Sequence, residues 1–394
     1  MRFPEFKGEW NDYRLRDLCT FHSGGTPSID NVEYWEGEIP FVSAVAMHNT
    51  HIEKTPLTLT EKGLRNGSKQ LEAGNLLLLV RGSMLWNKIP ICYNDVDVAF
   101  NQDVKGIVPN SKTTSLFLLN WIQSHENRIK YMVTGTGIGA GKLDSEDLLA
   151  LNVKLPSLNE QKKIEKFLSL IDERIETQIR IINKLQSLMK GLNDYLQDSV
   201  PLSYSLSFSD IGEDYSGLSG KSAEDFRSGK PYITYVSIYA NNFVEDDCCG
   251  KVSVERGEKQ NVVQKGDMLF TLSSETPEEV CYGAVYSGNS TETYLNSFCF
   301  GVRNTEEKVF SPYMAYFFNS SRFRREVYPL AQGSTRFNLQ KSDFLQKQFS
   351  YPSIENQHRI FEILNAYDNK IKVENKILAH YQLQKDFLLR NLFI

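Results

Sequence analysis

The chain has 394 residues, 41% hydrophobic and 24% charged, which is the balance of a folded protein of two or three domains and excludes a disordered or fibrous one. Its formal charge is -5, divided as -2, 0, -4 and +1 over residues 1–154, 155–198, 199–350 and 351–394, so no segment shows the basic excess that marks a nucleic-acid binder by bulk charge. The first ten residues hold no apolar run of signal-peptide type. The longest apolar stretch, Leu76–Val80, is far short of the ~20 residues that cross a bilayer. The expectation is a cytoplasmic chain with no membrane partner. Cys19, Cys92, Cys248, Cys249, Cys281 and Cys299 lack C-x-x-C spacing and read as free thiols.

In chain order, the first half opens with Ser23-Gly-Gly-Thr-Pro-Ser28, Tyr34-Trp35 and Gly37-Glu-Ile-Pro-Phe41. Gly74-Asn-Leu-Leu-Leu78 then starts a buried strand, Leu116–Met132 reads as helix, and a glycine-rich turn runs from Gly135 to Lys142. Pro156-Ser157 puts a stop and an N-cap before a long helix, with Ser157 and Glu160 in capping-box spacing.

The second half repeats this order. At an offset of 196, residues 155–198 and 351–394 share 11 identities in 44 ungapped pairs, where unrelated segments give roughly three. Upstream, Gly137 lies over Gly333, Leu143 over Leu339 and Asp147 over Asp343; nearer the start of each half the offset drops to about 191, and Gly266-Asp-Met-Leu-Phe270 lies under Gly74-Asn-Leu-Leu-Leu78. The expected fold class is α+β: two α/β heads, residues 1–154 and 199–350, each followed by a helix, residues 155–198 and 351–394.

Both helices carry apolar residues alternately four and three apart, the spacing of a coiled-coil seam. The first seam runs through Ile164, Leu168, Ile171, Ile175, Ile182 and Leu185, interrupted by Gln178. The second runs through Ile360, Leu364, Tyr367, Ile371, Leu378 and Tyr381, interrupted by Glu374. Two like units in one chain can satisfy both seams by packing the helices antiparallel about a pseudo-twofold axis, with Gln178 and Glu374 meeting near the middle. The expected object is a rod with a head at each end.

Catalytic lookalikes fail on inspection. In Gly135–Lys142 the position where a Walker loop needs its first glycine is Thr136, and Leu143 follows the Lys. The Gly-x-Gly-x-x-Ala reading lacks a preceding strand, and the repeat has one glycine in the matching turn, Ala331–Asn338. Asp95 or Asp97 with Asp103 and Lys105 faintly resembles a nuclease's acidic cluster, yet Phe298 and Phe300 stand at the repeat equivalents of Asp103 and Lys105. His48 and His51 lack a third ligand, so no metal site is expected. No methyltransferase loop of the Asn-Pro-Pro-Tyr or Asp-Pro-Pro-Tyr kind is present.

The Ser-Gly-Gly-Thr-Pro opening, the two Gly-led strands, the Gly333–Leu339 turn and the Pro-x-x-x-x-Gln-x-x-Ile at each helix start together resemble specificity subunits of type I restriction-modification systems, over essentially the whole chain. The resemblance implies two target recognition domains, each reading one half of a bipartite, asymmetric double-stranded DNA site, with the helices as spacer. It implies that the helices dock two modification subunits, joined by ATP-dependent restriction subunits. S-adenosylmethionine, ATP and Mg would sit on those partners, and this chain would bind no cofactor and perform no chemistry. In the major groove Asn and Gln suit adenine and Arg and Lys suit guanine. Loop residues of these types in the first head are Arg65, Asn66, Lys69, Arg81, Asn87, Lys88 and Lys142; in the second, Arg322, Arg324 and Arg325 form the densest basic cluster, expected on a helix, and Ser334, Thr335, Arg336 and Asn338 follow close behind. The competing readings are a two-headed scaffold that binds protein and a duplicated metal-dependent nuclease.

Overall fold

A computed structural model describes residues 2–136, 139–255 and 257–393. The chain divides into two compact units: Met1–Ile179 with Ile377–Ile394, and Arg180–Lys376.

In the first unit the run Leu76–Leu79 becomes the middle strand of a five-stranded sheet, and all four residues are buried because both faces are covered. Across that sheet the order is Cys19–Ser23, Val104–Pro109, Leu76–Leu79, Ile91–Asn94, His51–Ile52. Gly74, at φ +87°, makes the turn that leads into the central strand, a conformation that costs glycine little. A four-stranded sheet of Leu57–Leu59, Trp35–Val42, Val98–Phe100 and Lys69–Leu71 lies beside it in the fold. Thr114 caps the helix Ser115–Ser124 by accepting from the Phe117 N–H, and the helix buries Phe117, Leu118, Trp121 and Ile122 in the core. Asn11–Arg14 pairs antiparallel with Asn152–Leu155, which delivers the chain to helix α1 (Leu158–Ser199).

The second unit repeats the plan. Its five-stranded sheet has the order Gly212–Ser216, Cys299–Asn304, Met268–Thr271, Gly283–Tyr286, Phe243–Val244, and Gly266 leads into the central strand at φ +91°. Leu202–Leu206 pairs with Phe349–Pro352, the counterpart of the strand pair that precedes α1, and helix α2 (Ile354–Leu392) follows. Its core is more aromatic: Phe208, Phe270, Phe300, Phe317, Phe318, Phe323, Phe344 and Phe349 are all buried.

The same glutamine fastens each helix to its head. Gln161, fully buried, donates from Nε2 to the carbonyls of Pro156 (2.9 Å) and Lys112 (3.1 Å) and accepts at Oε1 from the Thr113 hydroxyl (3.0 Å). Gln357, also fully buried, donates to Pro352 (2.9 Å) and Lys308 (2.8 Å) and accepts from the Phe310 N–H (2.8 Å). These bonds account for the repeated Pro-x-x-x-x-Gln. At the N-cap, Ser157 Oγ accepts from the Glu160 N–H at 3.4 Å, but the Glu160 carboxylate takes a bidentate pair with Arg2 at 2.7 and 2.8 Å in place of closing the expected box.

Within each unit the two long helices run in opposite directions. In the first, Ile164, Leu168 and Ile171 share a core with Leu388, Leu389, Leu392 and Phe393, and Asp172 pairs with Lys385 at 2.6 Å. In the second, Ile360 and Leu364 share a core with Met189, Leu192 and Leu196, while Tyr313 donates to Gln197 Oε1 at 2.6 Å. Of the remaining expected seam residues, Gln178, Ile182, Ile371 and Glu374 are buried, and Ile175, Leu185, Leu378 and Tyr381 are half-buried. Tyr367 departs from the expectation: it is 37% exposed, and the next residue, Asp368, turns in to half-burial. The inward face thus passes one residue later there, since Leu364 and Asp368 are four apart on one stripe.

Candidate nucleic-acid interface

Each head carries a further small sheet. In the first it comprises β1 (Arg81–Gly82), β2 (Thr134–Gly135) and β3 (Gly141–Lys142), with β3 in the middle and both pairings antiparallel. The register aligns Arg81, Lys142 and Thr134 in one row and Gly82, Gly141 and Gly135 in the next. Directly opposed residues project from the same face of a sheet, so the three side chains leave together on one side, where all three are exposed. The glycine row faces the protein. A Cβ added at Gly141 would come within 2.8 Å of Val133 and 3.1 Å of Leu85, and one at Gly135 would touch the Trp86 ring. Trp86 Nε1 donates to the Gly139 carbonyl at 3.0 Å and holds the glycine-rich turn. The glycines therefore permit close packing of a sheet on a tryptophan. Gly137 and Ile138 lie outside the described residues.

Beside the row is a cleft of about 220 Å³ whose lining includes Arg81, Gln102, Lys105 and Lys142. Lys105 Nζ donates to Ser23 Oγ at 2.5 Å, and Thr26 Oγ1 donates to Gln102 Oε1 at 2.7 Å, which joins the Ser23–Ser28 turn to the cleft residues. Close approach of chains dictates that turn: a Cβ at Gly24 would lie 2.2 Å from the Phe100 carbonyl oxygen. Arg81 stands 3.8 Å from Asp103 and Lys142 3.8 Å from Asp144. Exposed pairs of this length contribute little, so both cations retain the capacity to bind a phosphate or a base edge.

In the second head the small sheet comprises β4 (Ser273–Ser274), β5 (Ala331–Gln332) and β6 (Phe337–Leu339), again with the last strand in the middle. Its matching row is Ser273, Asn338 and Gln332. Asn338 and Gln332 are exposed, whereas Ser273 is buried. The turn between β5 and β6 holds Gly333 at φ +146°, exposed Ser334 and Thr335, and Arg336, whose guanidinium lies 5.7 Å from the centre of the exposed Phe298 ring. Phe298 occupies the station of Asp103: each gives its carbonyl to the residue after the central strand, Leu272 and Val80 respectively.

The other residues expected from the sequence are placed elsewhere. Arg65 and Asn66 end the short helix Glu61–Arg65, Arg65 3.8 Å from Glu61 and Asn66 bonded to the Lys62 carbonyl at 2.7 Å; exposed Lys69 begins an edge strand. Asn87, exposed, and Lys88, half-buried, follow the Trp86 turn. The Arg322–Arg325 cluster divides. Arg322 donates to the Ser350 carbonyl (3.1 Å) and faces Glu326 (3.7 Å), and Arg325 is exposed. Arg324 donates to the carbonyls of Glu278 (2.6 Å), Val280 (2.6 Å) and Cys281 (2.7 Å) and lies over the Tyr282 ring, and burial lowers its pKa from the ordinary guanidinium value. Its donors are engaged by the fold. The acidic residues are likewise dispersed: Asp95 contacts His51 at 3.1 Å, Asp97 accepts from Gln70 and the Ala73 N–H, and Asp103 faces Arg81. Among the described residues no three His, Cys, Asp or Glu side chains are grouped to hold a metal ion, and no helix is long and apolar enough to cross a membrane.

Sequence reasoning missed Thr134, Gln332, Gln102 and the exposed aromatic rings around the small sheets. Tyr131 is 93% exposed and Tyr328 48%, each three residues before the edge strand β2 or β5. That recurrence is visible in the sequence once the repeat offset is allowed to become 197.

Each half of the chain is thus an α+β head followed by a long helix, with side chains presented outward from a small sheet. The model for the type I restriction modification DNA specificity domain matches residues 7–187 and again 209–380, and the chain belongs to that family. It is 29% identical over 174 residues to the specificity subunit of the Escherichia coli type I restriction enzyme EcoR124I/EcoR124II, a match that covers 44% of this chain and less than half, 43%, of that protein. Identity to the MjaVIII specificity subunit of Methanocaldococcus jannaschii is 25% over 405 residues, covering 95% of this chain and 89% of that one. Among solved structures, the S subunit from M. genitalium aligns over 100% of this chain and 99% of its own at a TM-score of 0.53 and 15% identity. A chain from a structure of type I R-M system assembly and conformational transition aligns over 99% and 98% at 0.60 and 14%. At these identities the likeness to the solved structures concerns the fold.

Proposed function

We propose that this chain is the sequence-reading subunit of a type I restriction-modification enzyme, in which each head reads one half of a bipartite DNA site. The observation that carries the reading is the pair of small sheets, built at the same place in both heads yet bearing different side chains: Arg81, Lys142 and Thr134 in one, Ser273, Asn338 and Gln332 in the other. Equal frames with unequal readers suit an asymmetric target. Arg336 with Ser334 and Thr335, and Asn87 with Lys88, flank these rows as phosphate or base contacts. Arg65, Asn66 and Lys69 belong to the outer edge of the first head and Arg325 to the helix surface of the second; Arg322 and Arg324 serve the fold.

The long helices set the spacing between half-sites and dock two modification subunits. Restriction subunits join that assembly. The methyl donor, ATP and Mg bind those partners, and this chain supplies recognition alone. Exposed apolar residues on the helices, among them Leu170, Leu188, Leu383 and Phe387, supply surface for docking. Methylome sequencing of the host with and without the gene tests the reading. Loss of methyladenine from one bipartite motif is the expected result; an unchanged methylome would refute it and favour a protein-binding scaffold.

A further inference from the structure

We infer that the row of side chains on each small sheet is the element that sets base identity, and that the two rows differ in class: the first selects guanine and the second adenine. This rests on the DNA-specificity reading above and adds to it which residues discriminate and for what.

The geometry isolates the row. In the first head every alternate position of the small sheet is glycine, so the sheet presses flat on Leu85 and Trp86 and exposes only Arg81, Lys142 and Thr134 on its outer face. Two of these three are obligate donors, matching the O6 and N7 acceptors of guanine in the major groove. Neither can accept the amino group of adenine or cytosine. In the second head the same register offers Asn338 and Gln332, carboxamides that donate and accept at once and so match adenine N7 and N6. Ser273, which stands where Arg81 stands, is 4% exposed and its hydroxyl has no hydrogen-bond partner among the described residues. It is withdrawn from the surface, which leaves the carboxamides as the row's readers.

The neighbouring station agrees with this division. Asp103 stands 3.8 Å from Arg81 in the first head, while Phe298 in the second gives Arg336 a ring to lie on. An arginine held beside the row on an aromatic ring contacts backbone or an adjacent base without competing with Asn338.

The test is selection from a randomised duplex library by the chain assembled with its host's modification subunits. The wild type should enrich two half-sites. In the double variant Arg81→Ser, Lys142→Asn, which installs the second head's residues on exposed positions, guanine discrimination should fall by roughly 5- to 150-fold per lost contact in one half-site. The other half-site should persist, and it doubles as the control for folding and assembly. The reciprocal Asn338→Lys should convert adenine preference to guanine in the opposite half. Unchanged guanine enrichment in the double variant would overturn the inference, as would parallel loss from both half-sites. If the wild-type assembly enriches no sequence, the specificity reading itself falls and takes the inference with it.

Discussion

Replacing Gln161 by Ala removes a side chain that is fully buried and fully bonded, and the structure sets the size of the loss. Two carbonyls, Pro156 and Lys112, lose their donor, and the Thr113 hydroxyl and Thr114 N–H lose their acceptor, the last at 3.3 Å. At a net of about 1 kcal/mol for each bond left unmade, with some recovery where water enters, the loss is about 3 kcal/mol. For a unit of this size each kcal/mol lowers the melting temperature by roughly 2–4 °C, so a fall of about 6–12 °C is expected by circular dichroism. Gln161→Met separates bonding from volume: it fills the same space and restores none of the bonds, so it should melt close to Gln161→Ala. Gln161→Glu should be worse, because it turns lone pairs toward two carbonyls that need donors. Gln357→Ala should behave like Gln161→Ala, since three of the same kinds of bond are lost. A melting temperature within about 2 °C of wild type for Gln161→Ala, or full recovery by Met, would refute the bonding argument.

Three further outcomes follow from the same reasoning. Arg324→Ala should destabilise the second unit by about 3 kcal/mol through three orphaned carbonyls, whereas Arg336→Ala should leave the melting temperature alone and weaken DNA binding by the assembled enzyme at moderate salt; titration calorimetry and thermal melting of both variants check the contrast. The Lys221 ammonium, then Gln260 and the Glu255 N–H, hold the Glu258 carboxyl down at about 2. A carboxyl depressed by folding stabilises above its unfolded pKa, so its contribution should be complete above about pH 4.5 and disappear as pH falls toward 2; Glu258→Gln should flatten that part of an acid titration. With a charge of -5 the chain alone should bind DNA weakly and with a shallow salt dependence, because phosphate neutralisation supplies most non-specific affinity, and tight binding by the isolated chain in a filter assay would contradict this.

The repeat was legible because inward-facing residues hold the same stations in both copies. Gln161 and Gln357, Ile164 and Ile360, and Gly74 and Gly266 face the same constraints twice, and an offset that shifts by only a few residues along each half finds them. The small sheets were not legible, because most of their strands are two residues long and periodicity needs more residues than that to declare itself. Their partners also come from distant parts of the chain: Arg81 meets Lys142 only through the fold. The arginine cluster at 322–325 looked uniform for a related reason. Helix phase turns Arg324 onto a carbonyl-lined loop at residues 278–281 and leaves Arg325 in solvent, and no local pattern announces where that loop lies. What stays constant between the heads therefore points inward, and most of what differs points outward from a sheet backed by close packing. Exposed positions such as Lys142, Arg81 and Asn338 touch little of the core, so exchanging them should cost within about 0.5 kcal/mol of stability. A frame of this kind can change what it reads without relearning how to fold, and the divergence of the two rows inside one duplicated chain is what that separation of roles produces.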